Sequence, residues 1–152
     1  MELTGIAALP YVDAHTAVVM ADTDTVWRAL GEVLDRSFGR PRTARYTRLV
    51  GCADHASSGP RPLAEGATVP GFRVVAAVPG RKLVLAGRHR FSSYAIVFRL
   101  APDGVGRSTL SAETRAAFPG WSGRLYRRLV IGTGGHAAAV RRLLAAVGRR
   151  CG

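Results

Sequence analysis

The sequence has few residues that would cross-link the chain or carry it into a membrane. It contains two cysteines in 152 residues, Cys52 and Cys151, which is too few for a disulfide framework. No apolar run approaches the ~20 residues of a membrane span. The short apolar run at 6–9 follows Glu2 rather than the basic cluster of a signal peptide. We therefore expect free thiols, no transmembrane segment and a cytoplasmic protein.

Acidic residues and lysines are also scarce. Ten Asp and Glu stand against 22 Lys and Arg, which gives a net charge of +12, and Lys82 is the single lysine. A surface rich in arginine attracts phosphate groups, but these arginines are spread over every segment. The spread argues against a nucleic-acid partner. One interpretation remains open: a non-enzymatic interaction module whose basic surface binds acidic protein, membrane headgroups or nucleic acid.

Motifs for a metal, a nucleotide or a hydrolase triad are missing as well. Cys52, Asp54 and His55 have metal-binding side chains, but the other histidines do not stand at ligand spacing around them. The glycine-rich segment 132–135 has no GK[ST] and no strand directly before it, and no GxSxG motif is present. We expect neither a metal nor a cofactor.

The chain does contain a run of strands followed by a long amphipathic helix. The length and the near-average composition indicate a single domain, 1–152. Apolar periodicity and turn residues predict the following elements: a strand at 13–20, a helix at 22–36, a strand candidate at 43–52 with an ambiguous buried face, a loop at 53–65, strands at 72–78, 82–90, 94–100 and 107–118, and a helix at 121–149.

Alternation along the strands and spacing along the last helix predict which side chains meet. Tyr94, Ile96 and Phe98 share one face of their strand, and His89 falls on the corresponding face of the strand before it. On the last helix, one stripe at spacings of three and four should cover the sheet. That stripe comprises Leu125, Leu129, Gly132, His136, Val140, Leu143 and Val147.

This order of elements resembles the START-like helix-grip superfamily, also called SRPBCC, which includes polyketide cyclase/dehydrase-type proteins. The resemblance is carried by AHTAVVMADTDTVWRAL, by FRVVAAVPGRKLVLAGRHRF with YAIVFRL, and by SAETRAAFPGWSGRLYRRLVIGTGGH. It implies an α+β fold in which a curved antiparallel sheet wraps on a long C-terminal helix and leaves a cavity between them. It also implies a hydrophobic ligand such as a lipid or polyketide, and in some members cyclisation or dehydration.

Within that cavity we expect a polar cluster of His89, Tyr94 and His136 surrounded by Ile96, Phe98 and Leu129. Such a cluster is typical of small-molecule sites, and its histidines could serve as general acid and base. Gly132, in a glycine-rich interruption of the helix, could widen the cavity or admit the ligand beside the helix; alternatively, the interruption could pack closely on the sheet or kink the helix. No residue is identified as catalytic. The expected partner is a hydrophobic small molecule, and the chain is expected to be a monomer or a homodimer.

Overall fold

The computed structural model describes residues 3–152 and shows an α+β domain in which one sheet is covered by helices. The helices are α1 Leu3–Ala8, α2 Thr23–Phe38, α3 Pro41–Leu49, α4 Gly120–Arg127 and α5 Gly135–Cys151, with a π-helical turn, Arg128–Gly132, between the last two. The strands are β1 Tyr11–Val19, β2 Thr68–Val69, β3 Phe72–Val78, β4 Lys82–His89, β5 Ser92–Pro102 and β6 Ser108–Ala117.

The six strands form one antiparallel, curved and unclosed sheet in the order β1-β6-β5-β4-β3-β2. The first strand is therefore an edge strand that pairs with the last one, while the four consecutive strands between residues 72 and 117 form a meander. This arrangement confirms the predicted helix-grip architecture of a curved antiparallel sheet and a C-terminal helix.

Helices α2 and α5 pack together over the concave face of the sheet and form the main core with it. Helix α2 begins where the Asp22 carboxylate accepts a hydrogen bond from the Thr25 amide at 2.8 Å, which caps its first turn. Its Leu30 and Leu34 are fully buried, as is Phe98 on β5. The alternation predicted for β5 is thus confirmed for Ile96 and Phe98.

The opposite face of the sheet is partly covered too, by the short helix α1. Ile6 packs there against a second cluster formed by Val84, Ala86, Ala95 and Val97. Because β4 and β5 are covered on both faces, their sequences are apolar over several consecutive residues.

The strand candidate at 43–52 was wrong, because this segment forms α3 instead. Pro41 occupies the first turn of that helix, where its fixed φ and missing N–H are tolerated. The loop predicted at 53–65 is confirmed as irregular, and the short edge strand β2 follows it.

The predicted continuous helix at 121–149 was wrong in its middle. The chain passes from α4 through the π-helical turn to Gly134, whose φ of 76° belongs to the left-handed region, before α5 begins. The break turns the N-terminal half of the predicted stripe away from the sheet. Leu125 is 51% exposed and Leu129 is 63% exposed, whereas Val140 and Leu143 are buried as expected.

Among residues 3–152, no helix combines the length and the apolar character needed to cross a membrane.

Candidate ligand-binding cavity

A cavity of about 620 Å³ lies between the concave face of the sheet and the helices α3, α4 and α5. Its floor is formed by the central strands, which contribute Ile96, Thr114 and Ala116. Its other walls carry mainly aromatic and aliphatic side chains. These include Phe38, Phe72, Phe118, Tyr126, Val130, Ile131, Val140 and Leu143.

An aromatic cluster fills one side of this cavity. The His89 ring lies 5.4 Å from the Tyr94 ring and 4.8 Å from the Tyr126 ring, measured between centroids, and the second contact is edge-to-face. Phe72 contacts Tyr94 at 5.2 Å, and Phe91 stacks on Tyr126 at 5.3 Å. Such ring pairs add stabilisation beyond the area they bury. The cluster therefore holds three strands and α4 together around the cavity.

Tyr94 takes its position because the residue opposite it on β4 has no side chain. A Cβ atom on Gly87 would lie 2.1 Å from the Gly71 carbonyl oxygen and 2.6 Å from the Tyr94 ring. The Tyr94 hydroxyl donates to that same Gly71 carbonyl at 2.6 Å and lies 3.6 Å from Cys52 Sγ. Burial strongly raises the pKa of the Tyr94 phenol and also raises that of the Cys52 thiol. Both groups are therefore neutral at pH 7.

Tyr46 and Tyr126 connect α3 to α4 across the cavity through a hydrogen bond between their hydroxyl groups. Burial, followed by this hydrogen bond, raises the pKa of the Tyr126 phenol. Gly123 allows α4 to lie close to the backbone of Phe118, because a Cβ on Gly123 would lie 2.7 Å from the Phe118 carbonyl carbon.

His89 is held in one tautomer by the backbone. The amide of Phe91 donates to His89 Nδ1 at 3.1 Å, so in the neutral ring the proton resides on Nε2. Desolvation lowers the pKa of this imidazole. The side chain consequently presents a neutral ring whose Nε2–H is a hydrogen-bond donor.

His136 belongs to a second polar group, at the start of α5. Its Nε2 lies 3.0 Å from Thr114 Oγ1 and 3.4 Å from Asp13 Oδ1, while the other oxygen of that carboxylate lies 3.2 Å from His15 Nε2. A β-bulge between Tyr11 and Asp13 brings Asp13 opposite Thr114, so both side chains point to the same face. Within residues 3–152, no group of His, Cys, Asp or Glu side chains is arranged to hold a metal ion.

The structure places four of the seven predicted site residues in the cavity wall: His89, Tyr94, Ile96 and His136. The other three do not line it. Phe98 lies fully within the main core, Leu129 is exposed beyond the helix break, and Gly132 is exposed with open space around its missing side chain. Gly132 therefore does not widen the cavity; the helix is interrupted there instead, in line with the kink that was the alternative for this segment.

His89 and Tyr94 are brought together as predicted, but His136 stands apart with Thr114. That threonine lies two residues along β6 from Ala116, the strand partner of Tyr94, a separation of roughly 7 Å. The expected single cluster is thus two polar groups along one cavity.

Several cavity residues escaped the sequence interpretation. Tyr46 and Cys52 were assigned to a strand that does not exist, and Tyr126 fell outside the predicted stripe. Asp13 and His15 do not line the cavity but contact each other beside His136, and their spacing could have indicated this, because residues two apart in a strand share a face.

The sheet, the cavity and the C-terminal helix together define an α+β helix-grip fold. No protein-family model matches this sequence, and no curated protein matches it by sequence.

Solved structures show the same fold at low identity. Protein Mll3558 from Rhizobium loti superposes with a TM-score of 0.57 at 18% identity, over 91% of this chain and 94% of that one. CalU16 from Micromonospora echinospora gives 0.54 at 15% identity, over 93% and 80%. DynU16, described as a protein of the dynemicin biosynthetic locus, gives 0.54 at 16% identity, over 91% of this chain and 46% of that one.

Proposed function

We propose that this protein binds a hydrophobic or aromatic small molecule, of lipid or polyketide type, inside the cavity. The observation that carries the proposal is the unfilled volume of about 620 Å³ between sheet and helices. It falls within the range of roughly 300–1,000 Å³ that is typical of small-molecule sites.

The chemistry of the wall supports the same class of ligand. Most of its side chains are aromatic or aliphatic, and the interior polar groups of His89, Tyr94 and His136 are fixed in place by hydrogen bonds. Apolar walls supply affinity through burial, whereas a small number of oriented donors and acceptors selects the ligand. His89 Nε2–H is one such donor.

The similarity in fold supports membership of the START-like superfamily, whose members hold hydrophobic ligands in the corresponding place. One structural neighbour, DynU16, comes from a biosynthetic locus. That context favours a ligand which is a biosynthetic intermediate rather than a structural lipid.

Acid and base chemistry of the cyclase or dehydratase type is consistent with the His136 group. We infer that the Asp13 carboxylate, whose Oδ1 lies 3.4 Å from His136 Nε2 and accepts no hydrogen bond within residues 3–152, favours the tautomer with the proton on Nε2, which would leave Nδ1 as the basic nitrogen. Within residues 3–152, His136 Nδ1 makes no hydrogen bond of its own. Tyr94 is a poor candidate for a base, because burial keeps its phenol protonated.

Native mass spectrometry of the protein purified from its own cell extract tests the binding proposal directly. We expect a retained small molecule that dissociates under mild activation or on unfolding. An extract-purified protein whose mass equals that of the chain alone, and which takes up no lipid or aromatic compound afterwards, would contradict it.

Replacement of the two cavity histidines tests their role. With a confirmed ligand, we expect His136→Ala and His89→Ala to weaken binding by roughly threefold to tenfold each, since a hydrogen bond contributes about 1 kcal/mol. His55→Ala, in the exposed loop, is the matched control. Unchanged affinity in both cavity variants would remove these residues from the site.

A second candidate function is suggested by the exposed side of α4 and of the π-helical turn that follows it. Trp121, Leu125 and Leu129 are each more than half exposed at spacings of four, and the segment 118–152 contains seven arginines and no acidic residue. An apolar stripe bordered by arginines is typical of a helix that lies on an anionic membrane surface. Sedimentation with phosphatidylcholine vesicles, with and without phosphatidylglycerol, tests this alternative. Salt-sensitive binding only to the anionic vesicles would favour it.

A further inference from the structure

We propose that the ligand is amphipathic and anionic, with its charged end bound by Arg40, Arg142 and Arg149 at the rim of the cavity. This inference rests on the proposed function and adds the chemical class of the ligand. The charged group would be a carboxylate, phosphate or sulfonate, and the apolar body would occupy the interior.

The charged residues at the rim of the cavity are all positive. Among residues 3–152, five that line the cavity are exposed to solvent, and three of these are arginines: Arg40, Arg142 and Arg149, beside Tyr46 and Ala139. No Asp or Glu of this described part of the chain lines the cavity. Within residues 3–152 none of the three guanidinium groups forms an ion pair, whereas six other arginines do. The rim therefore carries uncompensated positive charge.

Two of these arginines stand on one side of α5. Ala139, Arg142, Ala146 and Arg149 follow each other at spacings of three, four and three residues, and all four line the cavity. Arg40 reaches the cavity from a different element, at the beginning of α3. A ligand at the rim would therefore meet donors from two walls.

The interior, by contrast, is largely uncharged. Burial raises the pKa of Cys52 and Tyr94 and lowers that of His89, so all three are neutral at pH 7. The Asp13 carboxylate lies behind His136 and does not line the cavity. A neutral, apolar interior beneath a cationic rim is complementary to a molecule with an apolar body and one anionic end. Guanidinium groups bind such oxyanions with paired hydrogen bonds.

A pair of fluorescent probes that differ by one anionic group tests this inference. The probes are 1-anilinonaphthalene-8-sulfonate, which is anionic, and N-phenyl-1-naphthylamine, its neutral counterpart. We expect the anionic probe to bind the unmodified protein more tightly, and added sodium chloride to weaken its binding while leaving the neutral probe unaffected.

Substitution of the rim arginines tests whether they cause the preference for the anionic probe. We expect Arg142→Gln with Arg149→Gln to weaken binding of the anionic probe by roughly threefold to tenfold, the range for partly exposed ion pairs. Binding of the neutral probe should be unchanged. The control is Arg128→Gln with Arg141→Gln, which removes the same two charges from exposed positions that do not line the cavity.

The outcomes separate this inference from the proposed function. Equal affinity for both probes, or equal losses in the rim and control variants, would overturn the anionic preference while the cavity still binds. If neither probe bound, the cavity proposal itself would fail. Circular dichroism of each variant checks that the fold is retained.

Discussion

Burial sets the charge state of the titratable side chains around the cavity. The pKa of His89 is lowered because its ring is desolvated, and the pKa values of Cys52, Tyr94 and Tyr126 are raised for the same reason. Each shift favours the neutral form. The aromatic cluster therefore stays uncharged at pH 7.

The lowered pKa of His89 makes the stability of the protein depend on pH. The unfolded chain binds this proton near the ordinary pKa of 6.5, whereas the folded protein binds it only at lower pH. Protons then favour unfolding, so this contribution is present above about pH 6.5 and is lost as pH falls. We expect urea midpoints to decrease between about pH 7.5 and pH 5.5.

The comparison with His89→Phe isolates this effect. The variant should show a smaller decrease over the same range, because the titrating ring is gone. His55→Gln, in the exposed loop, should keep the full decrease. An identical pH profile for His89→Phe and the parent would contradict the assignment.

At the scale of secondary-structure elements, the strands and helices with a long and regular apolar periodicity were predicted correctly from the sequence. Strands β3 to β6 and helix α2 agree with their predictions to within about two residues at most ends. The segment that forms α3 was predicted as a strand because its apolar residues are too few to show a helical period, although Pro41 fits the first turn of a helix. The two-residue β2 is too short to produce a pattern.

The break before α5 could not be read from the apolar stripe alone. Residues 125–147 keep a helical spacing through the glycine-rich segment, so periodicity favoured one helix. The helix is nevertheless interrupted, because three of the four residues at 132–135 are glycines, which are poor helix formers. Gly134 adopts a left-handed conformation there. Because of this break, Leu129 and Gly132 lie outside the cavity wall, and His136 lies at the start of α5, beside Asp13.

Two neighbouring glycines test the importance of this break. Gly134→Ala forces a Cβ into a φ of 76° and should lower the free energy of unfolding by about 1–2 kcal/mol. Gly135→Ala is the control, because its Cβ would make only ordinary contacts at 3.5 Å or more and lies in the first turn of α5. It should be neutral or slightly stabilising. Urea unfolding of both variants is the measurement, and equal stabilities would contradict a left-handed Gly134.

At the scale of the whole molecule, the sheet and helices meet on only part of their facing surfaces. Helices α2 and α5 cover one end of the concave face with a closely packed core, which includes Leu34, Phe98 and Val147. At the other end α3 and α4 stand over the strands and leave the cavity. The closely packed core and the open cavity thus lie toward opposite ends of one sheet, so we expect side chains at the cavity end to be replaceable without loss of the fold.

Filling the cavity tests this division directly. Ala116 is buried, lines the cavity and lies opposite Tyr94 in the sheet, whereas its neighbour Ala117 points to the other face of β6. We expect Ala116→Phe to place a ring in the open space and to reduce N-phenyl-1-naphthylamine binding at least tenfold. A ring that enters empty space avoids the ~1–3 kcal/mol that overpacking costs in a filled core, so the urea midpoint should be close to that of the parent.

Ala117→Phe is the matched control and should retain full probe binding. A large loss of stability in Ala116→Phe would mean that protein atoms already occupy this volume. Full probe binding in Ala116→Phe would mean that the ligand enters elsewhere. Because the two residues are adjacent on one strand, only the side of the sheet they face distinguishes them, and a difference between their effects would assign binding to the concave face.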